Sequence, residues 1–187
     1  GAVPAGRWTH LAVGALGYYN MVRLSVDGHV AAEGHGLMHA GRYRLIVGNA
    51  PGGDRPFRGR VDELRRADVR RFARRRPPQD WLDPNRPAPR PRDPNHFPNA
   101  GRLRLYVPFD GTIEPTAPAG GAVATEWLCD KQDPRFGRGV HGRALVLGCP
   151  LRFAGEDLLD PAAGTASFWV RFDGDPADIG RVLKLGE

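Results

Sequence analysis

A few side chains in this sequence stand at spacings that could do chemistry. Two acid pairs, Asp62-Glu63 and Glu156-Asp157, supply the residue type that glycoside hydrolysis needs. That reaction requires two carboxyl groups facing each other across a cleft, whereas neighbours in a strand point to opposite faces. The pairs are badly placed for it on that reading, and no Ser-His-Asp arrangement has local support. His35 and His39 have the i, i+4 spacing of helical zinc ligands. Glycines at 34, 36 and 41 argue against a helix there, and no glutamate follows His35, so a loop with two ordinary histidines is expected. Gly137-Arg138-Gly139-Val140-His141-Gly142 spells a G-x-G-x-x-G. It lacks the preceding parallel-strand unit and the following helix, and reads as a turn. Aromatic faces are the last candidates, since sugar rings stack on exposed Trp and Tyr. Tyr18, Tyr19 and Trp127 lie in or beside loops and are the candidate carbohydrate contacts, set against the general tendency of large aromatics to be buried.

Composition narrows the classes. The 187 residues suffice for one domain with a real core or two small ones, and 41% hydrophobic with 26% charged residues is ordinary for a globular chain. Gly 25 and Pro 18 favour many turns over long helices. No apolar run is long enough to span a membrane as a helix. The net charge of +6 invites a nucleic-acid reading. Lys131 and Lys184 are the only lysines, however, and the arginine excess accompanies alanine, glycine and proline, as codon bias in a GC-rich genome produces. Aromatics do not interleave with the basic residues in order, so no nucleic-acid partner is expected. Cys129 and Cys149 could pair in an oxidising compartment, or Cys149 could be a buried thiol on the parity of Leu145 and Leu147.

The elements that must position these residues are strands. Trp8 to Val13 puts Leu11 and Val13 on one face and Trp8 on the other. Val22, Leu24 and Val26 alternate with Arg23, Ser25 and Asp27, and Asp27-Gly28 is a hairpin signal leading into His29-Val30-Ala31-Ala32. Arg42 to Gly48 is a further strand. In Phe57 to Arg66 the parity breaks: Leu64 points opposite to Val61, so either both faces are covered or a bulge lies near Asp62. Residues 74 to 101 hold eight prolines and almost no apolar periodicity, the composition of a semi-rigid linker. Leu103 to Phe109 then alternates as a half-buried strand, followed by 122 to 128, 135 to 147 and 164 to 172. The chain opens in the middle of a pattern at Gly1 and stops in a truncated strand at 182 to 187, as a piece of a longer multidomain protein would.

The order of these segments resembles the laminin-G-like domains of the concanavalin A-like lectin/glucanase superfamily. Residues 7 to 66 are similar to the C-terminal half of such a domain, through Trp8-Thr9-His10-Leu11-Ala12, Leu24-Ser25-Val26-Asp27-Gly28, Leu45-Ile46-Val47-Gly48 and Phe57-Arg58-Gly59-Arg60-Val61-Asp62-Glu63-Leu64-Arg65. Residues 102 to 187 resemble the N-terminal half, through Tyr106-Val107-Pro108-Phe109-Asp110-Gly111, the run from Phe136 to Leu147, and Gly164-Thr165-Ala166-Ser167-Phe168-Trp169-Val170. The resemblance implies an all-β, concanavalin A-like jelly-roll β-sandwich. It also implies an order of domains: 1–73 a C-terminal half-domain, 74–101 the linker, 102–187 an N-terminal half-domain. Two arrangements are open: the halves close on each other as a circularly permuted sandwich, or each is an incomplete lobe with an exposed apolar face.

Function follows the resemblance too. It implies a structural calcium ion held by Asp62, Asp110 and the backbone around Gly111. It implies non-catalytic binding of a glycan or a cell-surface protein, as an adhesion or recognition module of a larger extracellular, periplasmic or cell-surface bacterial protein. The compact E-x-D-x-x-E strand motif of the superfamily's laminarinase-type enzymes does not occur here. The alternatives are an accessory lobe of a polysaccharide-degrading enzyme and a structural spacer without a ligand.

Overall fold

The computed structural model describes residues 4–16, 21–35, 44–48, 57–68, 100–116, 123–129, 132–155, 158, 163–174 and 183–186. Twelve strands lie among them: β1 (Trp8–Leu16), β2 (Met21–Val26), β3 (His29–His35), β4 (Arg44–Val47), β5 (Gly59–Ala67), β6 (Leu103–Val107), β7 (Ala124–Trp127), β8 (Arg135–Arg138), β9 (Arg143–Leu147), β10 (Leu151–Ala154), β11 (Ala163–Phe172) and β12 (Leu183–Gly186). A short 3-10 turn at Ala100–Arg102 leads into β6. The larger sheet runs β3-β2-β1-β11-β5-β9-β8, with β6 also paired to β5. The smaller runs β12-β4-β10-β7. Every strand pairing is antiparallel.

Both sheets contain strands from both ends of the chain, paired with one another. β1 pairs β11, β5 is flanked by β11, β6 and β9, and β4 lies between β10 and β12. Of the two arrangements left open by the sequence, the closed sandwich is the one formed. The physical reason is the apolar face that each half would otherwise present to water. Leu11, Val61, Leu64, Leu145, Phe168, Val170 and Phe172 from the larger sheet meet Leu45, Val47, Leu151 and Phe153 from the smaller in one buried cluster. The proline-rich segment 74 to 99 lies outside the described residues.

Two local signals act as the sequence dictates. Asp27 and Gly28 both take positive φ, 47° and 78°, the pair of left-handed residues that a tight hairpin needs between β2 and β3. The parity break in β5 is a bulge. Asp62 stands opposite Trp169 and Arg65 opposite Ser167, so Glu63 and Leu64 together face the single residue Phe168. Glu63 sits at φ 55°, uncommon for a non-glycine, and the extra residue returns Leu64 to the core face beside Val61. The run 135 to 147 is two strands folded back on the turn Gly139–Gly142, where Gly139 N donates to Gly142 O at 3.1 Å.

Candidate functional site: two carboxylates on one turn

The β5 bulge aims its acids at a place no regular strand would. Val61 points into the core, so Asp62 points to the outer face of the larger sheet, beside Trp169 on β11 and, one strand further, His10 on β1. The His10 and Trp169 rings meet edge to face at 5.2 Å. Asp62 Oδ2 accepts backbone N–H bonds from Val140 at 2.9 Å and His141 at 3.0 Å, across the top of the β8–β9 turn. Asp110, in the loop after β6, holds the turn's other end: its Oδ1 accepts from Arg143 N at 2.7 Å.

Glycine is required at both ends of that turn. A Cβ on Gly139 would stand 2.6 Å from Asp62 Oδ2 and 2.7 Å from Arg143 O. A Cβ on Gly142, which has φ 66°, would stand 2.1 Å from Asp110 Oδ1. The G-x-G-x-x-G therefore works as a turn, as its context predicts, and its last two glycines exist to let two carboxylates approach the backbone.

Asp62 is fully buried, and its carboxyl is pushed up to about 8. Burial is the largest cause; the charges of Glu63 and Asp110 add to it, and the two backbone N–H bonds oppose it. Its second oxygen, Oδ1, is buried with no hydrogen-bond partner. Glu63, also buried, turns to other partners: Tyr106 Oη donates to its Oε1 and Oε2 at 3.1 and 3.2 Å, and Arg65 Nη2 donates to Oε2 at 2.6 Å. Arg65 also lies over the Tyr106 ring, 5.5 Å from its centroid. The expectation that the adjacent acids point to opposite faces is corrected here: the bulge leaves both on the outer side of the larger sheet, Asp62 toward the β8–β9 turn and Glu63 toward Tyr106 and Arg65, and the Glu63 charge adds to the rise at Asp62.

The other sequence candidates fall elsewhere. Gly111 follows Asp110 with φ 97° and donates to Phe109 O at 2.8 Å. Trp127 ends β7, half-buried with one side against the core, and its Nε1 donates to Gln132 O at 2.7 Å. Tyr18 and Tyr19 lie outside the described residues, as do His39, Glu156 and Asp157. His35 ends the exposed strand β3. Among the described residues no group of three or more His, Cys, Asp and Glu side chains is arranged for a metal ion. Cys129 and Cys149 form a disulfide, tying the end of β7 to the start of β10; of the two readings the sequence left open, pairing is the one the structure shows. A loop on each side of a sheet pairing brings them together, a relation that spacing alone does not reveal.

The comparisons with known proteins fit this geometry. Residues 1–70, which carry β1 to β5, match the family model described as the concanavalin A-like lectin/glucanases superfamily, a laminin-G type. No curated protein and no solved structure matches the chain. The match and the two antiparallel sheets define a concanavalin A-like β-sandwich, and they support a carbohydrate- or protein-binding module. No helix among the described residues is long and apolar enough to cross a membrane.

Proposed function

We propose that this chain is a non-catalytic glycan-binding module of a larger protein that works outside the cytoplasm. The observation that carries this reading is the fate of Asp62 and Glu63. The bulge leaves the two carboxyls on the same side of the larger sheet, yet both are buried and both are turned onto protein partners, Asp62 onto the β8–β9 turn and Glu63 onto Tyr106 and Arg65. Glycoside hydrolysis needs a pair open to substrate and water. The Cys129–Cys149 disulfide supports a place in an oxidising compartment.

A structural calcium ion belongs to the same proposal. Hard oxygens suit it, and the donors fit: a carboxylate from β5 and one from the loop after β6 share one turn, and Asp62 Oδ1 is buried with no donor of its own. Asp62, Asp110 and the Gly111 carbonyl would hold it, with water completing the shell. When bound, it supplies positive charge that keeps Asp62 ionised despite burial.

The test pairs a glycan array with a reducing-end assay on the polysaccharides that bind. Retention of at least one glycan class without release of reducing ends is the expected result. Hydrolysis that survives Glu63→Gln and is lost in Asp62→Asn would make the chain an enzyme; no retention on any glycan would remove the binding role.

A further inference from the structure

The outer face of the larger sheet carries a second arrangement, one register step from Asp62. Trp8 on β1 stands opposite Arg171 on β11, Arg171 opposite Arg60 on β5, Arg60 opposite Val146 on β9, and Val146 opposite Arg135 on β8. These residues alternate with Phe172, Val61, Leu145 and Phe136, which face the core, so the row lies on the side away from the smaller sheet. At about 4.8 Å per strand the row runs roughly 19 Å. Arg58 extends it along β5 by parity with Arg60 and is exposed. Arg135 is exposed as well, and among the described residues neither Arg58 nor Arg135 has an acidic partner.

One carboxylate already sits on the row and shows what it accepts. Asp173 Oδ2 lies 3.2 Å from Arg60 Nε, and Asp173 Oδ1 accepts from Arg171 Nε at 2.9 Å, so a single carboxylate bridges two neighbouring strands. Arginine forks suit carboxylates because the planar guanidinium presents parallel N–H donors, and a strand row fixes the spacing of those donors without ordering a loop. Trp8, partly exposed, is the one aromatic on the row among the described residues. Nucleic acid is disfavoured by that count, since single strands need a series of stacking rings.

We propose that this arginine row is a docking surface for an acidic glycan, whose uronate carboxylates lie along Arg171, Arg60, Arg58 and Arg135 as the Asp173 carboxylate lies between the first two. The proposal rests on the glycan-binding reading above and names the class of glycan. It places the ligand on the open sheet face and leaves the β8–β9 turn a structural element.

The test is affinity electrophoresis of the full chain in gels containing polygalacturonate, dextran or a thymidine 30-mer, at low and physiological salt. Polygalacturonate is expected to retard the protein, dextran to leave it free, and salt to weaken the retardation, as for any charge-driven contact. The Arg58→Gln/Arg135→Gln variant should lose about tenfold in affinity, the scale of two exposed charge-assisted contacts, and Arg58→Lys/Arg135→Lys should recover part of the loss. Wild-type retardation by the glutamine variant would overturn the proposal, and tighter binding to the thymidine oligomer would replace it with a nucleic-acid surface. A protein retained by neutral glycans on the array but not by polygalacturonate refutes this inference alone. One retained by no glycan refutes the binding role as well.

Discussion

Asp62 and Asp110 grip opposite ends of one turn. Asp62 accepts from the N–H groups of Val140 and His141, Asp110 accepts from that of Arg143, and the charge of Asp110 raises the carboxyl of Asp62. The two residues come from opposite sides of the proline-rich segment, so the turn is also a seam between the two parts of the chain.

The buried carboxyl makes stability depend on pH. Asp62 has an ordinary value of 3.8 and a folded value of about 8, so the folded state binds its proton more tightly than the unfolded state does. Its contribution is full below pH 3.8 and is lost as pH rises towards about 8. The slope within that window is at most about 1.4 kcal/mol per pH unit. Asp62→Asn keeps an oxygen for the two N–H donors and removes the titration. Urea unfolding from mildly acidic to mildly alkaline pH should therefore show a falling wild-type curve and a flatter one for the variant.

Calcium should act on the same group in the opposite sense. A thermal melt with calcium is expected to rise over one with chelator, and the gain should disappear in both Asp62→Asn and Asp110→Asn. Because the ion requires an ionised Asp62, binding below about pH 8 should release protons, measurable by calorimetry in buffers of different ionisation enthalpy. A melt indifferent to calcium across that range would remove the ion and leave the turn clamp intact.

The turn's glycines make a stability prediction that needs no ligand. Gly142→Ala adds a methyl that would sit 2.1 Å from Asp110 Oδ1, at a φ of 66°. A loss of more than about 1 kcal/mol in denaturant unfolding is expected. Gly34→Ala, where nothing lies within 4 Å of the added methyl, is the control and should be near neutral.

The disulfide closes a loop with a sequence separation of 20. Cys129→Ser/Cys149→Ser should cost about 3 kcal/mol, read as a lower urea midpoint, with the β-rich far-ultraviolet spectrum retained. Reduction of the wild type should reproduce the shift.

How much of this was legible depended on whether the deciding contact was local. Val61 and Leu64 disagree in parity within four residues, and that alone narrows β5 to two readings, both faces covered or a bulge near Asp62, of which the bulge is formed. Asp27-Gly28 and the Gly137–Gly142 pattern likewise carry their turns in their own backbone requirements. β10 is not legible in the sequence: four residues after Pro150 give too short an alternation to separate Leu151 and Phe153 from a loop. The shared face of Asp62 and Glu63 is hidden for a related reason, since regular alternation sends neighbours to opposite faces and only the bulge reverses it. Pairing of Cys129 with Cys149 needed β7 and β10 to be neighbours, a fact of the sheet. The arginine row is a matter of register: Arg60, Arg135 and Arg171 are unremarkable members of an arginine-rich chain until four strand pairings put them in line.

The neighbours of β5 also set the order in which a ribosome can deliver this fold. β1, β2 and β3 can form a meander as soon as they emerge, because they pair in sequence. Among the described residues β4 and β5 have no such option: their pairings are with β10 and β12, and with β6, β9 and β11. Until those later strands are synthesised, Val61 and Leu64 have no sheet to join. Such non-local pairing slows folding. The waiting strands are the segment of the nascent chain that a holdase chaperone would be expected to cover, and a ribosome-stalling series ending just before and just after β11 would find where that protection ends.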